Sequence, residues 1–189
     1  MTKIFLMRHG EVENPEGVIY ERLPGFHLSK TGKNHTEIVA KQIITNKETK
    51  NISVIYSSPL ERAIETATPV AKLLNLPITI DNRLIEAGHK FKGKKVGKGE
   101  GSFLKIRNLW LMRNIFKPSY GESYVNIAKR MKSAVEDFST IHPHENILVV
   151  SHQAPIWVLY RIFSGKKPQH LNFMRNNSYC SILKIRVSK

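Results

Sequence analysis

Four short apolar runs punctuate the chain, at Lys3–Met7, Ile52–Tyr56, Pro77–Ile80 and Asn146–Val150. The first and fourth are apolar at nearly every position, through Ile4-Phe5-Leu6-Met7 and Ile147-Leu148-Val149-Val150. That pattern belongs to strands covered on both faces, and hence to a parallel sheet. Between the runs, helical periodicity covers Thr31–Thr45, Pro59–Asn75, Glu122–Ile141 and Gln153–Ser164, with Gly165 placed to cap the last. Ser58-Pro59-Leu60-Glu61 combines a capping box with a proline in the first turn, which predicts a sharp helix start. The alternation Leu183, Ile185, Val187 reads as a closing edge strand.

Strand and helix in alternation predict an α/β fold: a three-layer sandwich with a mostly parallel central sheet, helices on both faces and right-handed crossovers. One segment breaks the rhythm. Gly88–Gly101, GHKFKGKKVGKGEG, mixes glycine and lysine without apolar periodicity and reads as a mobile loop, and Phe103–Phe116 beyond it reads as a helix. The expected organisation is a single domain over residues 1–189 with a loop and helix cap insertion at about 88–121. No internal repeat is visible.

Composition narrows the classes. A chain of 189 residues that is 41% hydrophobic can bury a core of its own. Lys and Arg outnumber Asp and Glu by 30 to 15, so an anionic partner is expected: a phosphorylated metabolite, a nucleic acid or a membrane surface. The cations are scattered over many elements and no RNP, zinc-finger or helix-turn-helix signature is present, which ranks a nucleic-acid-binding module last. The lone Cys180 forms no internal disulfide and the N-terminal apolar stretch is too short for a membrane span or signal peptide, so a cytoplasmic protein without a membrane partner is expected. The sequence leaves the oligomeric state open.

The polar residues at the strand ends carry the chemistry. Arg8-His9 follows the first run, Ser57-Ser58 and the helix bearing Arg62 follow the second, Glu86 follows the third, and Ser151-His152 follows the fourth. In an open α/β sheet, ligands bind at the carboxyl ends of the strands, where helix N-termini add free N–H groups. Two arginines and two histidines converging there describe a pocket for a tetrahedral dianion, a phosphate. A single histidine at a strand end is most often only a satisfied polar residue; the weight lies in the set. The pair His142 and His144 has no nearby cysteine or carboxylate pair and reads as a solvated turn rather than a metal site.

RHGE at Arg8–Glu11, SSPLERAIETA at Ser57–Ala67, IEAG around Glu86 and VVSHQ at Val149–Gln153, in this order, resemble the histidine phosphatase superfamily, which includes the cofactor-dependent phosphoglycerate mutases. The resemblance covers nearly the whole chain. It implies that His9 is a nucleophile that becomes phosphorylated, that Arg8, Arg62 and His152 bind the transferring phosphoryl group, and that Glu86 is the general acid. These residue types suit those roles. A nucleophilic histidine must be neutral, and neighbouring arginines disfavour its protonated form. Cations already in place stabilise the phosphoryl oxygens in the transition state, and arginine forks match them better than lysine does. A carboxylic acid beside a dianion holds its proton more firmly, which suits Glu86 to protonate a leaving alkoxide and then to deprotonate water. Neither a metal nor another cofactor is required.

Asn14, Arg22, His89, Arg113 and Gln153 are the candidate substrate-binding residues. Several mark departures from the family pattern. Val12 stands where many members have a hydroxyl residue, and Asn14 falls one position before their asparagine. Gln153 replaces the glycine that often follows the second histidine, and His89 stands where the mutases have tyrosine. A mutase must exclude water while its bisphosphate reorients. The short insertion and the end of the chain just past the last strand therefore favour a phosphatase acting on a small phosphorylated metabolite, with a phosphoglycerate mutase as the alternative. The Gly88–Gly101 segment is expected to order over bound substrate, with His89 or Arg113 touching the part beyond the phosphate.

Overall fold

The apolar runs become a five-stranded sheet in a computed structural model that describes residues 1–88, 92–95, 121–168 and 178–187. The strands are β1 (Thr2–Arg8), β2 (Ile52–Ser57), β3 (Ile78–Ile80), β4 (Asn146–Ser151) and β5 (Ile182–Val187), in the order β3-β2-β4-β1-β5. The first four pair in parallel and β5 closes the edge antiparallel to β1, so the fold is α/β with a mostly parallel sheet. The helices are α1 (Lys30–Thr45), α2 (Glu61–Leu74), α3 (Tyr124–Ile141) and α4 (Gln153–Phe163). A 3₁₀ turn at Asn82–Leu84 follows β3.

Alternate side chains of the central strands feed two cores. Ile4, Leu6, Ile147 and Val149 pack on α3 and α4 through Ile127, Met131, Ile156 and Leu159. Phe5, Met7, Leu148 and Val150 pack on α1 and α2 through Val39, Ile43, Ala67 and Val70. This explains the unbroken apolar runs of β1 and β4, whose faces are both covered. Each such side chain contributes roughly 1.5–3 kcal/mol when fully buried, so the two middle strands are the most firmly held part of the molecule. Gly165, at φ +71°, ends α4 in the left-handed conformation expected of a glycine cap.

One boundary differs from expectation for a physical reason. α2 starts at Glu61, not at Pro59, and the side chain of its N-cap Leu60 makes no cap hydrogen bond. Ser58 is turned away from a capping role toward His152, as described below. α1 and α3 start with ordinary caps, Ser29 on the Gly32 N–H and Ser123 on the Asn126 N–H, whereas α4 follows His152, whose side chain makes no cap hydrogen bond. Among the described residues, no helix is long and apolar enough to cross a membrane. The expected loop at Gly88–Gly101 falls mostly outside the described residues, and the expected helix at Phe103–Phe116 falls wholly outside them.

Candidate active site

The carboxyl ends of the central strands are stitched together by the main chain. Arg8 pairs in register with Ser151, the His9 N–H donates to the Ser151 carbonyl at 3.0 Å, and the Ser58 N–H donates to the Val150 carbonyl at 3.0 Å. On the other side Arg8 exchanges main-chain hydrogen bonds with the start of β5, donating to Ser181 and accepting from Cys180. His9, His152 and Ser57-Ser58 are thereby brought to one sheet edge by backbone alone. The turn after β1 is tied to α2, because the Gly10 N–H donates to Thr66 Oγ1 at 2.9 Å and Thr66 Oγ1 donates to the Arg62 carbonyl at 2.6 Å. It is also pressed on α1: a Cβ at Gly32 would lie 2.2 Å from the Glu11 carbonyl oxygen.

His9, Arg62 and His152 meet at this edge, and all are buried, at 2%, 0% and 0% exposure. The rings of His9 and His152 lie 5.1 Å apart. His9 Nδ1 is 2.8 Å from the Gly10 carbonyl oxygen, which can only accept, so Nδ1 carries the proton and Nε2 keeps its lone pair. Burial first, and then the charge of Arg62 with a smaller share from Arg8, pushes the His9 pKa down to about 3. His152 is likewise held well below the usual histidine range, by burial and then by the charges of His9, Arg62, Arg130 and Arg8. The expectation that arginines keep the first histidine neutral is right in direction, but burial leads. His9 is buried at the strand end, with the rings of His152 and Tyr179 at 5.1 and 5.9 Å from its own.

Among the described residues, Arg62 is the largest fully buried side chain. One terminal nitrogen donates to the Glu21 carbonyl, while Nε and Nη1 are buried with no hydrogen-bond partner among the described residues. Leaving guanidinium N–H groups unpaired in a dry site is expensive, and a site built so is built for an anion. Tyr20 lies against the Arg62 guanidinium at 4.8 Å and Tyr179 against that of Arg8 at 4.1 Å. The two tyrosines are hydrogen-bonded to each other, and burial followed by this neighbour pushes the Tyr20 hydroxyl above its ordinary pKa. They form an aromatic wall over the cations.

Glu86 is half-buried just past the 3₁₀ turn, with Oε1 accepting from the Ala87 N–H at 2.7 Å, and its charge acts on Arg62. Arg22, a candidate substrate ligand, braces the Glu86 segment, donating from Nε to the Glu86 carbonyl at 2.6 Å and from Nη2 to Glu122 Oε2 at 2.7 Å. Asn14 is turned back on its own loop, with Nδ2 donating to the Val18 carbonyl and Oδ1 accepting from the Val18 N–H. Both bonds close the loop after β1. Gln153 opens α4, directly after His152. His89 and Arg113 lie outside the described residues.

Comparison with known proteins gives the family. The sequence model of the histidine phosphatase superfamily (branch 1) matches residues 4–189. The chain belongs to that superfamily. The Uncharacterized protein Rv0525 of Mycobacterium tuberculosis is 42% identical over 169 residues, covering 89% of this chain and 82% of that protein. Phosphoserine phosphatase 1 of Hydrogenobacter thermophilus is 31% identical over 169 residues, covering 87% of this chain and 77% of that protein. Among solved structures, YhfR of Bacillus stearothermophilus superposes with a TM-score of 0.80 at 25% identity, covering 100% of this chain and 92% of that one. This chain is therefore an enzyme of the histidine phosphatase superfamily with phosphatases among its relatives, and the resemblance carried by RHGE, SSPLERA, IEAG and VVSHQ holds at that level.

Three features of this histidine phosphatase site lie beyond the reach of the motifs. Ser58 contacts His152 across 94 positions, Tyr20 contacts Arg62 across 42, and Arg22 contacts Glu86 across 64. Ser58 had a signal, since it sits inside SSPLERA, but a local capping pattern accounts for the same residue.

Proposed function

We propose that the chain is a phosphomonoester hydrolase that works through a phosphohistidine at His9. The observation that supports this most is a neutral, buried His9 whose Nδ1 proton is spent on Gly10, beside Arg62 N–H groups that have no partner among the described residues. In the first step the His9 Nε2 lone pair attacks phosphorus and the ester P–O bond breaks. Glu86 gives its proton to the departing oxygen. In the second step the Glu86 carboxylate takes a proton from water, whose oxygen attacks phosphorus, and the P–N bond breaks to release inorganic phosphate. Arg8, Arg62 and His152 hold the equatorial oxygens throughout, which is the largest contribution open to a protein in phosphoryl transfer. The two arginines supply the fixed positive charge, and the reading requires no metal or other cofactor.

The substrate class is a small phosphorylated metabolite. Relatives named phosphoserine phosphatases favour hydrolysis over the mutase alternative. The experiment is a panel of phosphomonoesters, phosphoserine included, scored for released phosphate beside an assay of 2- and 3-phosphoglycerate interconversion with and without a bisphosphate primer. Steady phosphate release without primer is expected. Primer-dependent isomerisation much faster than phosphate release would establish the mutase instead.

A further inference from the structure

The pairing of Ser58 with His152 has a direction that donor and acceptor counting resolves. His152 Nε2 lies 2.7 Å from Ser58 Oγ, and both residues are fully buried. The main-chain N–H of Leu60, a free donor at the start of α2, approaches the same oxygen at 3.4 Å. A main-chain N–H can only donate, so it takes a lone pair of the hydroxyl. The hydroxyl has one proton of its own, and among the described residues the remaining partner for it is His152 Nε2. If Nε2 accepts, the single proton of the neutral imidazole sits on Nδ1. That nitrogen is buried and has no partner among the described residues.

We propose that Ser58 is a positioning residue whose hydroxyl donates to His152 Nε2, fixing His152 in its Nδ1–H form and presenting that N–H to a phosphoryl oxygen. The proposal rests on the phosphatase reading above. The two facing rings then hold complementary states. His9 spends its N–H on Gly10 and keeps a bare Nε2 for phosphorus, whereas His152 spends its lone pair on Ser58 and keeps an N–H for oxygen. With Nε and Nη1 of Arg62, His152 Nδ1 makes three buried donor nitrogens at this edge that have no partner among the described residues. Burial, reinforced by neighbouring charges, keeps the His152 ring neutral, so it acts as a dipolar donor and the arginines supply the charge.

Nitrogen-15 NMR of histidine-labelled protein at neutral pH, free of substrate, tests this. The His152 signals, assigned by their loss in His152→Asn, are expected to show a protonated Nδ1 and an unprotonated Nε2. In Ser58→Ala the Nε2 signal should move toward the protonated type, and affinity for inorganic phosphate should fall about tenfold, the equivalent of roughly 1.4 kcal/mol. Ser58→Thr, which keeps the hydroxyl, should restore both. A wild-type ring protonated on Nε2, or on both nitrogens, overturns the proposal whether or not the variants fold. Unchanged tautomer and phosphate affinity in Ser58→Ala overturn it as well. Failure of the phosphatase reading would show separately, as absent phosphate release from a wild-type protein with the Nδ1–H form intact.

Discussion

Arg22 Nε donates to the main-chain oxygen of Glu86 at 2.6 Å, while its Nη2 holds Glu122, itself gripped by Arg130 at 2.9 and 3.0 Å. The Glu122 N–H also donates to the Gly88 carbonyl at 2.9 Å. The segment bearing the proposed general acid is thus braced from the loop after β1 and from the start of α3. Loosening it should matter most where a leaving group needs a proton. Arg22→Ala is expected to slow the transfer of the phosphoryl group to His9, read as the pre-steady-state burst of alcohol release, about tenfold with an alkyl phosphate and less than about twofold with p-nitrophenyl phosphate, whose leaving group departs unprotonated. Equal losses in that step on the two substrates would show that Arg22 does not act through the acid role of Glu86.

The buried histidines set an acid limit on stability. In the unfolded chain a histidine protonates near 6.5, whereas His9 in the fold resists protonation down to about pH 3 and His152 shifts in the same direction, burial being the main cause for both. Below pH 6.5 the unfolded state therefore binds protons that the folded state does not, and stability falls as pH falls. Each histidine contributes at most about 1.4 kcal/mol per pH unit, so moving from pH 6.5 to 5 should cost on the order of 3 kcal/mol for the pair. Denaturant unfolding in phosphate-free buffer should show this slope, roughly halved in His9→Asn. A flat profile over that range would contradict buried neutral histidines.

Gly32 gives a packing test of how the site is held. An added Cβ would meet the Glu11 carbonyl oxygen at 2.2 Å, in the turn that carries His9 and Gly10, and backbone cannot move aside as a side chain can. Gly32→Ala should destabilise the protein by about 2 kcal/mol or more, despite alanine's better helix propensity, and should lower turnover by displacing His9. Stabilisation of the variant would mean that α1 and this turn are not in close contact.

The legible parts of this protein are those where local pattern and tertiary role coincide. The runs Ile4–Met7 and Ile147–Val150 are apolar because both faces of β1 and β4 are covered, so the sequence shows the fold class and the sheet edge that gathers Arg8, His9 and His152. Ser58 was legible as a polar residue before a helix and not as a partner of His152, since a cap and a ring contact require the same hydroxyl. Arg22 and Asn14 are candidate ligands in the sequence. Arg22 also holds Glu86, a relation that arises only when distant segments meet, whereas Asn14 closes its own loop on Val18, four residues on. The burial of His9 is of the same kind as the Arg22 contact, with the rings of His152 and Tyr179 brought against it from far along the chain.

The most direct test asks where the phosphoryl group goes. Enzyme mixed with a phosphomonoester, quenched with base within one turnover and digested for mass spectrometry, should yield one phosphoryl group on the peptide containing His9, at Nε2, with the adduct lost on acid treatment. The adduct should accumulate in Glu86→Gln given p-nitrophenyl phosphate, because that leaving group needs no acid but hydrolysis still needs the base. His9→Asn should form no adduct and release no phosphate. Continued phosphate release by His9→Asn, or a phosphoryl group on any other residue during turnover, would contradict the account.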